Sequence, residues 1–497
     1  MKKKMNENFN EKHLLMKSDV QLLIGAVLLG LLGDQFFYER NLGLSVPLFI
    51  IAFYSLYFGI INRTINVKSK TVPFLLVAIF LLALSFFIRS SSVLWLFDFM
   101  LLPFLIVLHT LLAEHQVAPT APKILFDLLF GFLYRPFAFC LLPFQMVGKL
   151  LKRKSHMRSD SVFIKILIGI GLTVPLLLVI IPLLASADQI FNRLLGQIPQ
   201  VFNSFNLGSV IGQTIFTTIL AVCSFSYLWT LLHPQQWFWT VLNEKTGAVP
   251  NDTLDSVIVL TILAVINMIY LIFTAIQFSY LFGKLPQGYT YAGYARHGFF
   301  ELVAVTLINL TLLLSLFYFD KQRRSAVAWL ESLLIGCTLI MLVSAFTRMA
   351  VYEQMYGYTR LRLVTHAFML FLAFLLLFTL YRIWQPRVRI VRFFLLAALT
   401  FIVAINYVNI DYWIAKNNID RYQRTGKIDC NYLVSLSDDA VPQLVRLIGT
   451  GNGPVRQTIA RDLAIRERTL ERRTQWQSFN LSDYQSLRLL EHYRLQQ

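Results

Sequence analysis

Apolar residues run along this chain in blocks of about twenty, separated by short clusters of charge. At 1.5 Å per residue, a helix of that length crosses a hydrocarbon core of roughly 30 Å. The pattern predicts eleven membrane-spanning helices, at 20–38, 42–61, 72–89, 93–113, 162–186, 209–232, 256–281, 298–319, 326–347, 363–384 and 390–409. A further apolar stretch, Lys123–Gly148, contains Asp127, Arg135, Pro136 and Pro143. If it crossed, the basic cluster Lys149–Arg158 would lie on the outer face, against the tendency of Lys and Arg to stay inside. Residues 123–148 are therefore expected to form an interfacial or re-entrant pair of helices broken at Arg135–Pro136. Ile190–Phe205 is amphipathic and is expected to lie flat as a lid on the outer side.

From Asp411 onward the pattern becomes that of a small helical tail. Val455, Ile459, Leu463 and Leu470 fall on one helical face, Gly426 ends the first piece, and Ser437 or Asp438 is placed to cap a helix over Ala440–Ile448. Ser482–Gln485 has capping-box spacing before a last helix carrying Leu487, Leu490 and Tyr493. The expected fold is all-α: a polytopic transmembrane helix bundle of about 11 spans with a small C-terminal helical domain. Residues 1–19 form a cytoplasmic basic N-terminus, 20–410 the transmembrane domain and 411–497 an extracytoplasmic helical tail.

Composition agrees with the pattern. Hydrophobic residues make up 56% of the chain, charged residues 14%, and the mean hydropathy is +0.59. A soluble domain carries roughly 25% charge. The net charge of +18 is concentrated in Lys2–Lys17, Arg63–Lys70, Lys149–Arg158, Lys321–Arg324 and Arg382–Arg392. That distribution places the N-terminus in the cytoplasm and the C-terminus outside, and it implies anionic inner-leaflet lipids as partners, with no nucleic acid. Cys140, Cys223, Cys337 and Cys430 are scattered and form neither a disulfide framework nor a metal site.

Polar residues inside the spans are costly in lipid and should face protein or water. Pro103 lies about a turn and a half beyond Asp98 and frees the Phe99 carbonyl. His297, Glu301 and Asn309 recur at multiples of four, and Asn267, Gln277, Glu331 and His366 mark other spans. Each alone is best read as an interhelical hydrogen bond worth about 0.6–2 kcal/mol. The densest stretch is Ser344–Leu363, in which Arg348, Tyr352 and Tyr356 form a stripe, with Arg348 able to lie over a tyrosine face. Gly357 is placed to end that helix and Thr359 to cap the next. Arg296, His297, Glu301, Arg348, Tyr352, Glu353, Tyr356 and Arg360 are the candidate ligand-binding residues. They could equally anchor helix ends at the headgroups or form an internal salt-bridge network that fixes register.

Tyr294-Ala-Arg296-His-Gly298-Phe-Phe-Glu301, Ser344-Ala-Phe-Thr-Arg348 through Arg362, and the tail pattern Asn409-Ile-Asp411 with Asp429, Tyr432 and Leu436-Ser437-Asp-Asp439 resemble the signature stretches of a bacterial membrane family, domain of unknown function 4173. The resemblance implies a multi-pass protein of the bacterial cell membrane and names no activity.

Other motifs of chemistry are missing. His109, Glu114 and His115 lack H-E-x-x-H spacing, and there is no G-x-S-x-G or C-x-x-C. The loop Gly449–Pro454 is not followed by the Lys-Ser/Thr of a phosphate cradle, and Gly208–Gly212 is a lone GxxxG. No catalytic residue, metal site or cofactor is expected, and an enzyme is disfavoured. The favoured expectation is an outer-face binding or transport-related component for a polar or anionic solute or lipid headgroup. The alternatives are a non-catalytic sensor or assembly scaffold with a membrane or envelope protein partner, and a membrane-embedded transferase.

Overall fold

In a computed structural model the described residues are 17–61, 71–114, 128–154, 207–233, 255–282, 299–319, 325–385, 387–388, 390–473 and 475–495. Among them every regular element is helical. The helices are α1 (Lys17–Phe37), α2 (Ser45–Ile61), α3 (Thr71–Ile88), α4 (Ser92–Glu114), α5 (Arg135–Ala138), α6 (Leu142–Lys154), α7 (Leu207–Leu232), α8 (Ser256–Phe282), α9 (Phe299–Phe319), α10 (Ser325–Tyr356), α11 (Arg360–Trp384), α12 (Ile390–Tyr407), α13 (Ile410–Thr425), α14 (Cys430–Val434), α15 (Val441–Thr450), α16 (Gly453–Glu471) and α17 (Leu481–Leu495). Nine of them are long and apolar enough to cross a membrane, among the described residues: α1, α3, α4 and α7 to α12. Apolar α2, at 17 residues, is shorter. The expected span at 162–186 and the lid at 190–205 lie outside the described residues. The chain is a multi-pass integral membrane protein.

Contacts divide the chain into two units. One comprises Met1–Phe87, Phe99–Phe238 and Gln475–Phe479; the other comprises Ile88–Asp98, Trp239–Thr474 and Asn480–Gln497.

In the first unit, α1 and α7 form a closely packed antiparallel pair. Asp19 meets His233 at 3.1 Å at one end, and Gln213 donates to Asp34 at 2.6 Å at the other. Between these clips, a Cβ on Gly30 would lie 2.7 Å from the Thr217 carbonyl oxygen, so only glycine allows the backbones this close. Gly30→Val is expected to force the helices apart and lower the detergent melting temperature, whereas Gly59→Ala, where an added Cβ meets nothing within 4 Å, should leave it unchanged. Beyond α4 the chain is helical at 128–133, breaks at Tyr134, and resumes as α5 and α6. One α7 hydroxyl serves this break twice: Ser226 Oγ donates to the Arg135 carbonyl at 2.8 Å and accepts from the Phe139 N–H at 2.9 Å. Backbone groups freed at membrane depth need such partners.

In the second unit, α8, α9 and α10 share an apolar core crossed by polar rungs. Tyr270 donates to Asn309 at 2.9 Å, Asn309 to Thr338 at 2.9 Å, and Asn267 to the Leu330 carbonyl at 3.0 Å. These are the interhelical hydrogen bonds expected of isolated polar residues in spans. Helix α10 has 32 residues, about 48 Å, and so outruns a roughly 30 Å core by several turns.

The tail begins directly after α12. Asn409 caps α13 by accepting from the Tyr412 N–H at 3.1 Å, and Gly426 ends it with φ +69°. Asn452 caps α16, whose Val455, Ile459, Leu463 and Leu470 are buried. The last helix starts differently from the expectation. Its cap is Asn480, which accepts from the N–H groups of Ser482 and Asp483 at 2.9 and 3.2 Å, while the Ser482 hydroxyl donates to Asp439 at 2.6 Å. Tail residues Ile414, Ala415, Ile419, Leu444 and Ile459 are fully buried in a core that also packs Leu94 of α4, Tyr358, Leu363 and Val364 around the start of α11, and Ile405 of α12.

Candidate functional site

Five of the six described candidate residues, Arg348, Tyr352, Glu353, Tyr356 and Arg360, lie where α10 gives way to α11; the sixth, Glu301, lies in α9. Helix α10 runs unbroken to Tyr356, and Gly357 follows with φ +88°, its N–H donating to the Glu353 carbonyl at 2.8 Å. The expected left-handed stop is present because glycine alone adopts it without strain. Thr359 stands at the N-cap of α11 in extended geometry but makes no capping bond with its side chain.

Arg360, Tyr358 and their neighbours are tied to the tail by hydrogen bonds. Arg360 grips Asp411 with a bidentate fork, Nε to Oδ1 at 2.7 Å and Nη2 to Oδ2 at 2.6 Å, and Asp411 also accepts from the Ser437 N–H at 2.9 Å. The Asp411 side chain is 1% exposed and that of Arg360 22%. The Arg360 N–H donates to the Tyr432 hydroxyl at 2.9 Å. Asn418 closes a two-bond clamp on Tyr358, accepting from its N–H at 2.9 Å and donating to its carbonyl at 2.8 Å. Arg421 reaches the Met355 carbonyl at 3.1 Å, and Arg362 donates to the Gly357 carbonyl.

Arg348 donates to Gln277 Oε1 at 2.8 Å, and that oxygen also accepts from Ser344 at 2.7 Å. The cation that lies over Tyr352 is Arg362, at 4.2 Å, in place of the expected Arg348. Tyr352 and Tyr356 pack with ring centroids 4.9 Å apart, and Tyr356 is exposed. Buried Glu353 pairs with His366, Oε2 to Nδ1 at 3.1 Å, while Nε2 of the same ring lies 3.2 Å from the Phe346 carbonyl. Both partners are acceptors, so both bonds form together only when the pair holds two ionisable protons between ring and carboxyl. Glu353 Oε1 is buried and has no hydrogen-bond partner among the described residues. Glu301 sits exposed in the first turn of α9, and no hydrogen bond or ion pair joins it to Arg348 or Glu353 among the described residues. Arg296 and His297 lie outside the described residues.

A second polar centre, not singled out in the sequence, ties the tail to the start of α4. Asp439, 5% exposed, accepts from the Ser90 N–H at 3.3 Å and from Ser482 at 2.6 Å, and lies 3.9 Å from Arg89. Ser90 Oγ in turn accepts from the Asp439 N–H at 3.1 Å. The acids of the tail are held in opposite electrostatic states. Burial alone would raise the Asp411 carboxyl, but the bonds from Arg360 and Ser437 outweigh it and hold the group below the ordinary carboxylate range. Burial raises Asp439 despite Ser482 and Arg89. Burial together with Asp438 pushes Asp483 up to about 7, because its ion partner Arg473 is 37% exposed and offsets only part.

These directions fix a pH dependence. Asp483 binds its proton more tightly folded than unfolded, so the tail loses stability as pH rises from about 4 to about 7 and then levels off. Asp411 works the other way, contributing stability above about pH 4 that is lost as pH falls through its folded value. Melts at pH 5.5 and pH 8 should show the wild type less stable at pH 8. Asp483→Asn should shrink that difference, leaving the part that buried Asp439 contributes in the same direction.

The model of the family Domain of unknown function (DUF4153) matches residues 76–447. The chain belongs to that family. This corrects the resemblance to domain of unknown function 4173. Of the stretches that carried it, the α10–α11 turn and the Asp411–Asp439 pattern hold helix stops and tail contacts, and 294–298 lies outside the described residues. No curated protein and no solved structure matches the chain.

Proposed function

We propose that this DUF4153 protein is a non-catalytic membrane scaffold that presents its helical tail on the outer face of a bacterial cell membrane. The observation carrying this reading is the Arg360–Asp411 fork: the arginine best suited to grip an anionic ligand is committed to a buried carboxylate of the tail. The tail core is shared with the helix ends, as expected of a fixed platform.

The topology we infer has eleven spans, the N-terminus inside and the tail outside. Its support, beyond the basic loops, is that α4 and α7 run in the same direction. Thr110 and Tyr227, each about a turn from the end of its helix, are bonded at 2.5 Å, while Phe99 and Gly212 near the starts both approach the end of α1. An odd number of crossings between α4 and α7 satisfies this, as when 162–186 crosses and 123–148 does not. Cys430 should be labelled from outside in intact cells by a membrane-impermeant maleimide. Labelling only after permeabilisation would overturn the outward tail.

A second reading, binding of a polar solute at the outer face, is favoured by the buried Glu353 Oε1 that lacks a protein partner among the described residues. It predicts that Glu353→Gln abolishes function in cells while leaving the melting temperature within a few degrees.

A further inference from the structure

The three acids of α16 each lie within ion-pair distance of an arginine of the tail. Asp462 pairs with Arg466 at 2.6 Å, while Glu467 and Glu471 lie 3.2 and 3.8 Å from Arg494. Arg466 in turn is consumed by Asp438 and by the Val434 and Leu436 carbonyls. The exposed part of the helix includes a stripe at helical spacing: Arg461, Ala464, Ile465, Arg468 and the following Arg472. Among the described residues the three arginines of this stripe make no ion pair, and Ile465 is 56% exposed at its centre. Arg461 to Arg472 spans three turns, about 16 Å.

We propose that this stripe is a docking surface for an acidic amphipathic helix of a partner protein. The inference rests on the scaffold reading and names the surface and the chemistry of its partner. Three unneutralised guanidinium groups in line call for carboxylates at matching spacing, which would also steer the encounter. The Ala464–Ile465 centre calls for an apolar side chain opposite: a small residue beside a large one lets a second helix approach, and charges flank the seam as in helix pairs of complementary sign. A phosphate polymer has no apolar group to place there. The protein's own leaflet is disfavoured as occupant, because α16 packs on α14, α15 and α17, whereas α13 is the tail helix that packs on α11.

The test uses the full chain in lipid nanodiscs and a synthetic helical peptide with glutamates flanking a central leucine, read by fluorescence anisotropy. Two controls are a scrambled peptide of the same composition and polyphosphate. The designed peptide should bind at least tenfold more tightly than the scrambled one. The Arg461→Glu, Arg468→Glu, Arg472→Glu variant should lose binding, and Ile465→Ser should weaken it severalfold, both with unchanged melting temperature. Should charge reversal disturb folding, the corresponding triple Arg→Gln variant carries the same expectation. Absence of binding, equal binding of all three probes, or indifference to Ile465→Ser would overturn the proposal, the last two marking a plain cationic face. Such a failure leaves the Arg360–Asp411 coupling untouched and is thus distinguishable from failure of the scaffold reading, in which that coupling is absent while peptide binding persists.

Discussion

Arg360→Ala is expected to destabilise the second unit by about 3–5 kcal/mol, because it strands a carboxylate that is 1% exposed. Asp411→Ala should cost a similar amount, leaving a guanidinium and the Ser437 N–H without their acceptor. The pair is bidentate and charge-assisted, yet burying it also cost both ions their hydration. Arg360→Met with Asp411→Leu should therefore recover most of the loss. Detergent melts of the single and double variants measure the coupling directly. Single losses that simply add would mean that the fork is not a coupled unit. Arg360→Lys is informative as well: a point charge cannot span both carboxylate oxygens, so only partial stability should remain.

Gly357→Ala should cost about 2–5 kcal/mol, the larger of two glycine effects that the structure separates. At φ +88° any Cβ is strained by about 1–2 kcal/mol. Here it would also lie 2.7 Å from Asn418 Oδ1 and 3.1 Å from Arg421 Nη2, opening the clamp that holds Tyr358. Two lost hydrogen bonds add about 0.5–1.5 kcal/mol each. Gly426 is the control, because it has φ +69° but an added Cβ there would meet nothing within 4 Å. Gly426→Ala should show the backbone strain alone. Equal losses at the two positions would mean that the Asn418 clamp contributes nothing.

Nine of the eleven expected spans stand among the described residues, legible because their signal is local: a run of apolar residues needs no knowledge of its partners to be read as a helix in lipid. The stops at Gly357 and Gly426 were legible for the same reason, as was the buried face Val455, Ile459, Leu463 and Leu470. The contacts that decide the candidate site were not, because the partners that matter are remote in sequence. Arg360 looked free until Asp411 was brought beside it, and Asp439 looked like any tail carboxylate until Ser90 and Arg89 met it. One signal was available. Asp411 and Asn418 lie two turns apart on the same side of α13 as Ile414 and Ala415, and polar groups on an apolar stripe announce buried partners. The cap of α17 was misplaced because Ser482 matched a capping box while Asn480, two residues earlier, was the stronger acceptor in place.

The tail and the α10–α11 turn share one apolar core and are joined by the Asn418 clamp and the Arg360–Asp411 fork, so they should open as one cooperative unit. Hydrogen exchange of the full-length protein in nanodiscs, comparing wild type with Asp411→Ala, tests it most directly. Loss of protection should appear together throughout residues 357–363, 410–425 and 430–437, well beyond Arg360 and Ser437, the two partners that Asp411 bonds directly. Protection lost within α13 alone, with the turn as slow to exchange as in the wild type, would contradict it.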